Sequence, residues 1–185
     1  MVVLLSSFVV GCGLFDPRDP EPPTQGSGSF LPPVSREIVI ENLGNAIAEK
    51  NIPNYMKCFS DSAAGRRGFT FIPSANMINQ LSDWDLEDEQ NYFSNLTSAQ
   101  DGVSSLEVNG SFASISSDTA DYESQYTFIF DHDRKSRFHI VARGSLQFSL
   151  EVDISSGLWS IYYWKDIQTS DSIRTWSEFK REFRY

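Results

Sequence analysis

Apolar residues recur at helical spacing in three segments of the first half of the chain. Ser35 is a typical N-cap, so a first helix is predicted from there onward. A short second helix is predicted after Asn51, with Pro53 in the first turn, where its missing N–H is tolerated. A third helix is predicted to begin at Asp83 or Asp85, because acidic residues suit the positive end of the helix dipole. The apolar stripes of these helices are Val39, Leu43, Ala46 and Ile47; Ile52, Tyr55, Met56 and Phe59; and Tyr92, Phe93 and Leu96.

From residue 103 onward the apolar period changes to two, which is typical of strands with one buried face. A short strand is predicted over 68–72, and three long strands are predicted along residues 103–154. Gly144 lies on the apolar phase of the third long strand, where a sharp bend is possible. The apolar phases are Leu106, Val108 and Phe112; Tyr122, Tyr126, Phe128 and Phe130; and Phe138, Ile140, Ala142, Leu146, Phe148, Leu150, Val152 and Ile154.

The last strand, over 158–165, carries bulky side chains on both faces and therefore needs a second cover. A final helix over 172–183 is one candidate cover, and a partner subunit is the other. The predicted fold class is α+β: a strongly bent antiparallel sheet covered by the N-terminal helices, which forms a cone, plus a C-terminal helix. The apolar stripe of that last helix is Ile173, Trp176, Phe179 and Phe183.

The N-terminus has the composition of a leader followed by a tether. Residues 1–10 are apolar or small, a run shorter than the ~20 residues that span a bilayer but long enough for a secretory leader. The basic residues expected before such a run are missing, which suggests a start codon upstream of Met1. Residues 13–34 hold six of the eight prolines and a Gly/Ser stretch, which cannot propagate a helix or a sheet ladder.

The tetrapeptide Val9-Val10-Gly11-Cys12 resembles the lipobox of bacterial lipoproteins. The resemblance implies that Cys12 is lipidated and anchors the protein in the cell envelope, since two or three acyl chains hold firmly where one does not. Gly13 in place of Asp favours the outer membrane, if the host has one. The predicted organisation is a signal peptide over 1–12, a tether over 13–34 and a cone domain over 35–185. An ordinary cleaved signal and a chance cysteine in a buried strand are the alternatives.

Composition excludes several classes of function. The net charge of −10 argues against a nucleic-acid partner, which would require basic residues to neutralise phosphates. Two cysteines exclude a disulfide-dense scaffold, and two histidines leave little room for a metal centre. Cys58 is predicted to be a small buried hydrophobic residue on the second helix. Neither a cofactor nor a metal is predicted, because the sequence carries no phosphate-binding loop, nucleophile elbow or zinc-binding histidine pair.

Five segments resemble, in order, parts of nuclear transport factor 2-like domains, a group that includes ketosteroid isomerase and SnoaL-like proteins. They are residues 49–61, residues 69–73, Trp84 with Glu87 and Glu89, residues 118–122 and residues 159–166. The resemblance implies a cone with an open mouth, often with a ligand pocket, and often dimerisation through the outer face of the sheet. It implies no single function, because this fold hosts enzymes, binding proteins and scaffolds.

Candidate chemistry in such a cone is sparse. Isomerase-like chemistry needs a carboxylate base facing hydroxyl or acid groups, and the inward strand phases carry no Asp or Glu. Tyr55 and Tyr126 are candidate hydroxyl donors and Asp166 a candidate base. The alternatives are core tyrosines and a surface carboxylate at a strand end. The acidic run over 83–89 is interpreted as helix-start electrostatics, and residues 131–136 as a solvated hairpin tip.

Two functional hypotheses follow. The leading one is a non-catalytic module that binds a small apolar ligand or a protein, with a homodimer or an envelope protein as partner. It assigns no catalytic residue. The alternative is an isomerase, cyclase or dehydratase acting on a small hydrophobic substrate. The aromatic residues either line a pocket or fill the cone, and the candidate pocket residues are Tyr55, Trp84, Tyr126, Trp159 and Asp166.

Overall fold

The computed structural model describes residues 28–62, 66–98 and 101–185. The predicted signal peptide, Cys12 and most of the predicted tether lie outside these ranges. The helices of the described part are α1 (Arg36–Ala48), α2 (Ile52–Met56), α3 (Leu86–Leu96) and α4 (Trp176–Glu182). The strands are β1 (Thr70–Ile72), β2 (Ser104–Ile115), β3 (Thr119–Phe130), β4 (Val141–Val152) and β5 (Trp159–Ile167). Among the described helices, none has the length and apolarity needed to cross a membrane.

The predicted starts of the first three helices are confirmed. Ser35 precedes α1 with extended backbone, and the Asn51 side chain accepts a hydrogen bond from the backbone N–H of Asn54 at 3.1 Å. For α3 the cap is Asp85, which accepts from the backbone N–H of Asp88 at 2.9 Å. Asp83, the other candidate, lies before the helix with a left-handed φ of 64°. The first turns of these helices therefore form as the sequence predicts.

The five strands form one sheet in the order β1-β5-β4-β3-β2. β2, β3, β4 and β5 pair antiparallel in sequence, while β1 joins the edge parallel to β5. The inward phase of β3 is buried at alternate positions from Ala120 to Phe130, as the period of two predicts. Helices α1, α2 and α3 cover this inner face, which gives the predicted α+β cone.

Several predicted boundaries differ from the structure. β4 ends at Val152, and Ile154, predicted to be on its apolar phase, is 91% exposed in the turn that follows. Ile140 precedes β4 and is also exposed. α4 begins four residues later than predicted, because Arg174 lies beside β4, beyond the end of β5, where its carbonyl accepts from Arg143 N–H. Cys58 is buried as predicted, but it lies in the turn after α2.

The described residues just before α1 contact the folded domain. Ser29 N–H donates to Glu49 Oε1 at 2.7 Å, and the Leu31 backbone exchanges two hydrogen bonds with the Asn42 side chain. The carbonyl of Pro33 accepts from the backbone N–H of Trp159 on β5. The chain from residue 29 to residue 33 thus runs antiparallel to α1 along its surface.

Gly144 lies at a point of close approach in β4. A Cβ atom at this position would come within 2.7 Å of the Ile167 carbonyl oxygen and 2.9 Å of the Tyr126 hydroxyl. Glycine is therefore required here by the packing of β5 and of the Tyr126 side chain, whatever the curvature of the strand.

Candidate functional site

The interior of the cone is filled by the C-terminal helix. The indole of Trp176 stacks on Phe128 with ring centroids 4.4 Å apart and meets Trp164 edge-on at 4.6 Å. Phe179 and Phe183 follow on the same stripe of α4, and both are fully buried.

α4 packs on the inward face of β5, because Trp164 is in register with the inward-facing Phe148. A register shift between Ser149 and Leu150 brings Trp159, Ile161 and Trp164 to this one face, so α4 is an additional cover of the inward face and not the cover of a second face that the sequence predicted. It occupies the interior, where the family resemblance implied a pocket.

A buried ion pair joins α4 to α3. Lys180 Nζ donates to Glu89 Oε2, and both side chains have no exposed surface. The same carboxylate accepts from Trp84 Nε1 at 2.7 Å on Oε2 and from the Tyr55 hydroxyl at 2.7 Å on Oε1. Each charge is therefore compensated and hydrogen-bonded, which is the condition for ions to be tolerated in a core.

Four aromatic rings surround the ammonium group of Lys180. Its Nζ lies 3.9 Å from the ring centroid of Trp164 and 4.3 Å from that of Phe71. Tyr92 and Trp84 complete the group at 5.1 and 5.2 Å. We call Phe71, Trp84, Tyr92, Trp164 and the Glu89 carboxylate the ammonium cage. All four distances are within the ~6 Å range of cation–π attraction.

Burial lowers the pKa of Lys180 to about 8, although the nearby Glu89 carboxylate acts in the opposite direction. Burial likewise raises the pKa of Tyr55 and Tyr92 well above 10.0, with the charge of Glu89 adding to the effect. The tyrosine hydroxyls therefore remain protonated and act as hydrogen-bond donors at neutral pH.

A second buried polar cluster lies at the start of α4. Asp166 Oδ1 accepts from the Tyr126 hydroxyl at 2.8 Å, and Oδ2 accepts from Ser177 N–H at 2.7 Å and Ser177 Oγ at 2.5 Å. The Tyr126 hydroxyl in turn accepts from the backbone N–H of Trp176 at 2.8 Å. The N-cap residue Thr175 makes no side-chain cap hydrogen bond. The side chain of Asp166, which lies on β5, therefore caps the N-terminus of α4.

The alternative reading of Asp166 as a surface carboxylate is wrong, since the residue is only 1% exposed. It lies on the inward phase, in register with Leu146. Burial raises the pKa of Asp166 above 3.8, and its hydrogen bonds to Ser177 and Tyr126 oppose that rise. A carboxyl group of this kind can exchange a proton nearer to neutrality than an exposed aspartate does.

A pH dependence of stability follows from Asp166. Between pH 3.8 and the raised pKa, the folded state holds a proton that the unfolded chain has lost. The contribution of Asp166 is therefore largest below pH 3.8 and declines as the pH rises through the folded-state pKa. We expect the stability of the wild type relative to Asp166→Asn to fall with rising pH, by at most about 1.4 kcal/mol per pH unit.

Urea unfolding of both proteins from about pH 3.5 to 7.5 measures this difference. Asp153→Asn is the matched control. Asp153 is exposed, and hydrogen bonds from Ser155 lower its pKa below 3.8, so any pH dependence of its difference from the wild type runs in the opposite direction and lies below pH 3.8. The difference for Asp153→Asn should therefore stay nearly constant from about pH 4 to 7.5. A difference for Asp166→Asn that does not change with pH would contradict the raised pKa.

All five candidate pocket residues are buried, but they do not line one common cavity. Trp84 belongs to the ammonium cage and Tyr55 donates to its Glu89 carboxylate, while Tyr126 and Asp166 hold the start of α4. Trp159 lies at the far end of β5, beside Pro33. Tyr126 also borders a surface cleft of about 350 Å³, and that cleft reaches outward past Gly144 to Arg143, Thr169 and Ile173.

Two residues of the site, Glu89 and Lys180, were missed by the sequence analysis. The acidic run was interpreted as helix-start electrostatics, which Asp85 and Asp88 fulfil, whereas Glu89 is buried in the core. The sequence did carry a sign of this. Glu89 stands four residues before Phe93 on the apolar stripe of α3, and Lys180 stands next to Phe179 on the stripe of α4.

The hairpin tip also differs from its prediction as fully solvated. His132 is 1% exposed, and its ring lies 4.9 Å from that of Phe183. Its Nδ1 accepts from Arg134 N–H at 3.1 Å, so the Nε2–H faces the His139 carbonyl oxygen at 3.0 Å. The end of α4 covers the turn. His139 itself is exposed. Within the described ranges, no three His, Cys, Asp or Glu side chains are grouped to hold a metal ion.

No protein-family model matches the sequence, and no curated protein matches it either. Solved structures are similar in fold. A candidate scytalone dehydratase from Novosphingobium aromaticivorans has a TM-score of 0.56 at 9% identity, over 76% of this chain and 89% of that one. A candidate aromatic ring hydroxylase from the same organism gives 0.55 at 9% identity, over 75% and 90%. A nuclear transport factor 2-like protein of unknown function from Pseudomonas putida gives 0.53 at 9% identity, over 74% and 85%.

These similarities establish the fold. The described residues form a nuclear transport factor 2-like cone, a five-stranded sheet wrapped by helices, as the ordered sequence segments predicted. Identities of this size carry no function from the neighbours to this chain, so its function has to be argued from its own interior.

Proposed function

We propose that this protein is a cell-envelope lipoprotein whose cone domain is a non-catalytic interaction module. The observation that carries the proposal is the occupied interior: α4 fills the cone with Trp176, Phe179 and Lys180, each fully buried. A catalytic cone needs space for a substrate beside its reactive groups. Here the protein's own side chains take that space.

The buried polar groups support the same reading, because they are paired with each other. Glu89 binds Lys180, Tyr55 and Trp84, and Asp166 binds Tyr126 and Ser177. A general acid or base must reach the proton it transfers, at a distance of about 2.6–3.2 Å. These contacts instead hold α4 in the cone, and they leave the outer surfaces for binding.

Filling of the cone is tested with a small apolar probe. We expect 1-anilinonaphthalene-8-sulfonate to show no saturable one-to-one binding to the native full-length protein in calorimetry. Saturable binding that also quenches the fluorescence of the buried tryptophans would contradict the occupied interior. Denaturation in urea should expose the same aromatic residues and serves as the positive control for the tryptophan signal.

The lipid anchor is supported by the sequence alone, through Gly11-Cys12 at the end of the apolar run and the Pro/Gly-rich segment that follows. We expect the full-length protein, expressed in a bacterial host, to be found in the membrane fraction with diacylglycerol on Cys12. Cys12→Ser should leave that fraction, whereas Cys58→Ala, which changes the buried cysteine, should remain there. Mass spectrometry that finds Cys12 unmodified in the envelope would contradict the anchor.

One observation favours an enzyme as the second candidate. Tyr126, hydrogen-bonded to the raised-pKa carboxyl of Asp166, borders the cleft of about 350 Å³. Since one structural neighbour is named as a candidate scytalone dehydratase, scytalone is a suitable probe. Dehydration by the wild type that is lost in Tyr126→Phe would support a dehydratase-type enzyme. Equal background rates in both proteins would support the non-catalytic module.

A further inference from the structure

We propose that the interior of the cone contains a binding site for an alkylammonium cation. In the native protein the side chain of Lys180, on α4 of the same chain, occupies this site. The site is the ammonium cage defined above. This inference concerns the inside of the cone and does not depend on the lipid anchor or on a partner outside.

The first argument is the source of the cage residues. Phe71 is on β1, Trp164 on β5, Trp84 precedes α3, and Glu89 and Tyr92 are on α3. Phe71 and Trp164 are register partners across the parallel strand pair, so the sheet itself sets their spacing. The cage is therefore built entirely by the body of the cone, and α4 contributes only the cation.

The second argument is the chemistry of the cage. Aromatic faces carry negative electrostatic potential and attract a cation within ~6 Å, and desolvation strengthens the attraction. Glu89 adds one full negative charge. It is held in place by hydrogen bonds from Tyr55 and Trp84, which remain when the cation is removed. A compact ammonium on an aliphatic stem matches such a site, whereas a planar guanidinium matches paired carboxylate oxygens.

The third argument is that joining α4 to the cone does not by itself require a charge at position 180. A hydrophobic residue would fill the space at position 180 without the free energy needed to desolvate an ammonium group. The burial of Lys180 at zero exposure, with its Nζ directed at four rings and one carboxylate, is instead the arrangement of a ligand in its site.

The test removes the resident cation and supplies it from solution. Lys180→Ala deletes the atoms from Cγ to Nζ, which together correspond to n-propylammonium. We expect n-propylammonium chloride to raise the Tm of the full-length Lys180→Ala protein by about 3–6 °C at ten times its Kd. n-Propanol, which has a similar shape and no charge, should give no comparable rise. The wild type should not respond, because Lys180 fills its cage.

Two variants separate the cage from a simple cavity. Glu89→Gln/Lys180→Ala lacks the carboxylate and should lose the rescue by n-propylammonium. Leu146→Ala opens a buried cavity elsewhere in the sheet and should not respond to the cation. The proposal is overturned if n-propanol rescues as well as n-propylammonium, or if either of these variants is rescued to the same degree as Lys180→Ala.

The measurement also applies if Lys180→Ala is unfolded in buffer. Its far-UV circular dichroism is then followed during the same titrations. Folding that requires n-propylammonium and does not occur with n-propanol supports the site. A chain that stays unfolded in both overturns it.

Discussion

Replacing Lys180 with Met is expected to lower the free energy of unfolding by about 3–5 kcal/mol at pH 7. Met has a similar length and fills the space, so the loss comes from charge rather than from volume. The Glu89 carboxylate keeps its hydrogen bonds from Tyr55 and Trp84 but loses its counter-ion at a position with no exposed surface. An unpaired charge in a core is far more unfavourable than a paired one.

The double variant Glu89→Gln/Lys180→Met is expected to recover most of that loss, because neither charge is then buried. Urea unfolding followed by tryptophan fluorescence measures all three variants, since Trp84, Trp164 and Trp176 lie in or beside the cage. Lys135→Met is the matched control: Lys135 pairs with Asp131, but its side chain is 63% exposed, so its change stays within about 1 kcal/mol. A Lys180→Met protein as stable as the wild type would show that the buried pair is dispensable.

Truncation of Trp176 to Ala is expected to lower the free energy of unfolding by about 3–5 kcal/mol. The indole is fully buried between Phe128 and Trp164, and its Nε1 donates to the Tyr92 hydroxyl at 2.8 Å. Its removal leaves a cavity at the centre of the cone and an unpaired hydroxyl on Tyr92. The backbone N–H of residue 176 still binds Tyr126, so the loss is that of the side chain.

Trp176→Phe divides this effect into its two parts. It retains an aromatic ring against Phe128 but lacks the donor to Tyr92, so an intermediate loss is expected. Tyr185→Ala removes a large aromatic ring that is 89% exposed and should change stability by no more than about 0.5 kcal/mol. If Trp176→Ala were as mild as Tyr185→Ala, α4 would not be part of the core.

Local patterns predicted the elements of the fold well, for reasons visible at particular residues. Ser35, Asn51 and Asp85 precede their helices as predicted. The Asn51 and Asp85 side chains cap them, because capping depends only on a few neighbouring backbone groups. The alternation along β3 predicted its buried face residue by residue, because one face of the strand has a uniform environment. The C-terminal end of β4 was predicted two residues too late and the start of α4 four residues too early. Apolar Ile154 and Ile173 continue the local periodicity, although the regular structure does not reach them.

The candidate site was less predictable. Glu89 was interpreted as part of a helix start and Lys180 was passed over, since charged residues are rarely fully buried. Asp166 was a candidate base, with a surface carboxylate as the alternative. Each of them is buried because a partner from another element meets it: Glu89 of α3 meets Lys180 of α4, and Asp166 of β5 meets Tyr126 of β3 and the start of α4. A charged residue on an apolar stripe is the pattern that marks such cases, and both Glu89 and Lys180 show it.

The sequence by itself determined the α+β class, the helix starts and the inward phases of the strands, because these depend on neighbours within a few residues. Only the tertiary structure decided that α4 fills the cone and that four aromatic rings with Glu89 enclose Lys180. The physical reason is that desolvation and pairing of charge are set by groups 91 residues apart in the chain. A local sequence pattern covers only a few neighbouring residues and therefore cannot show that these two groups meet.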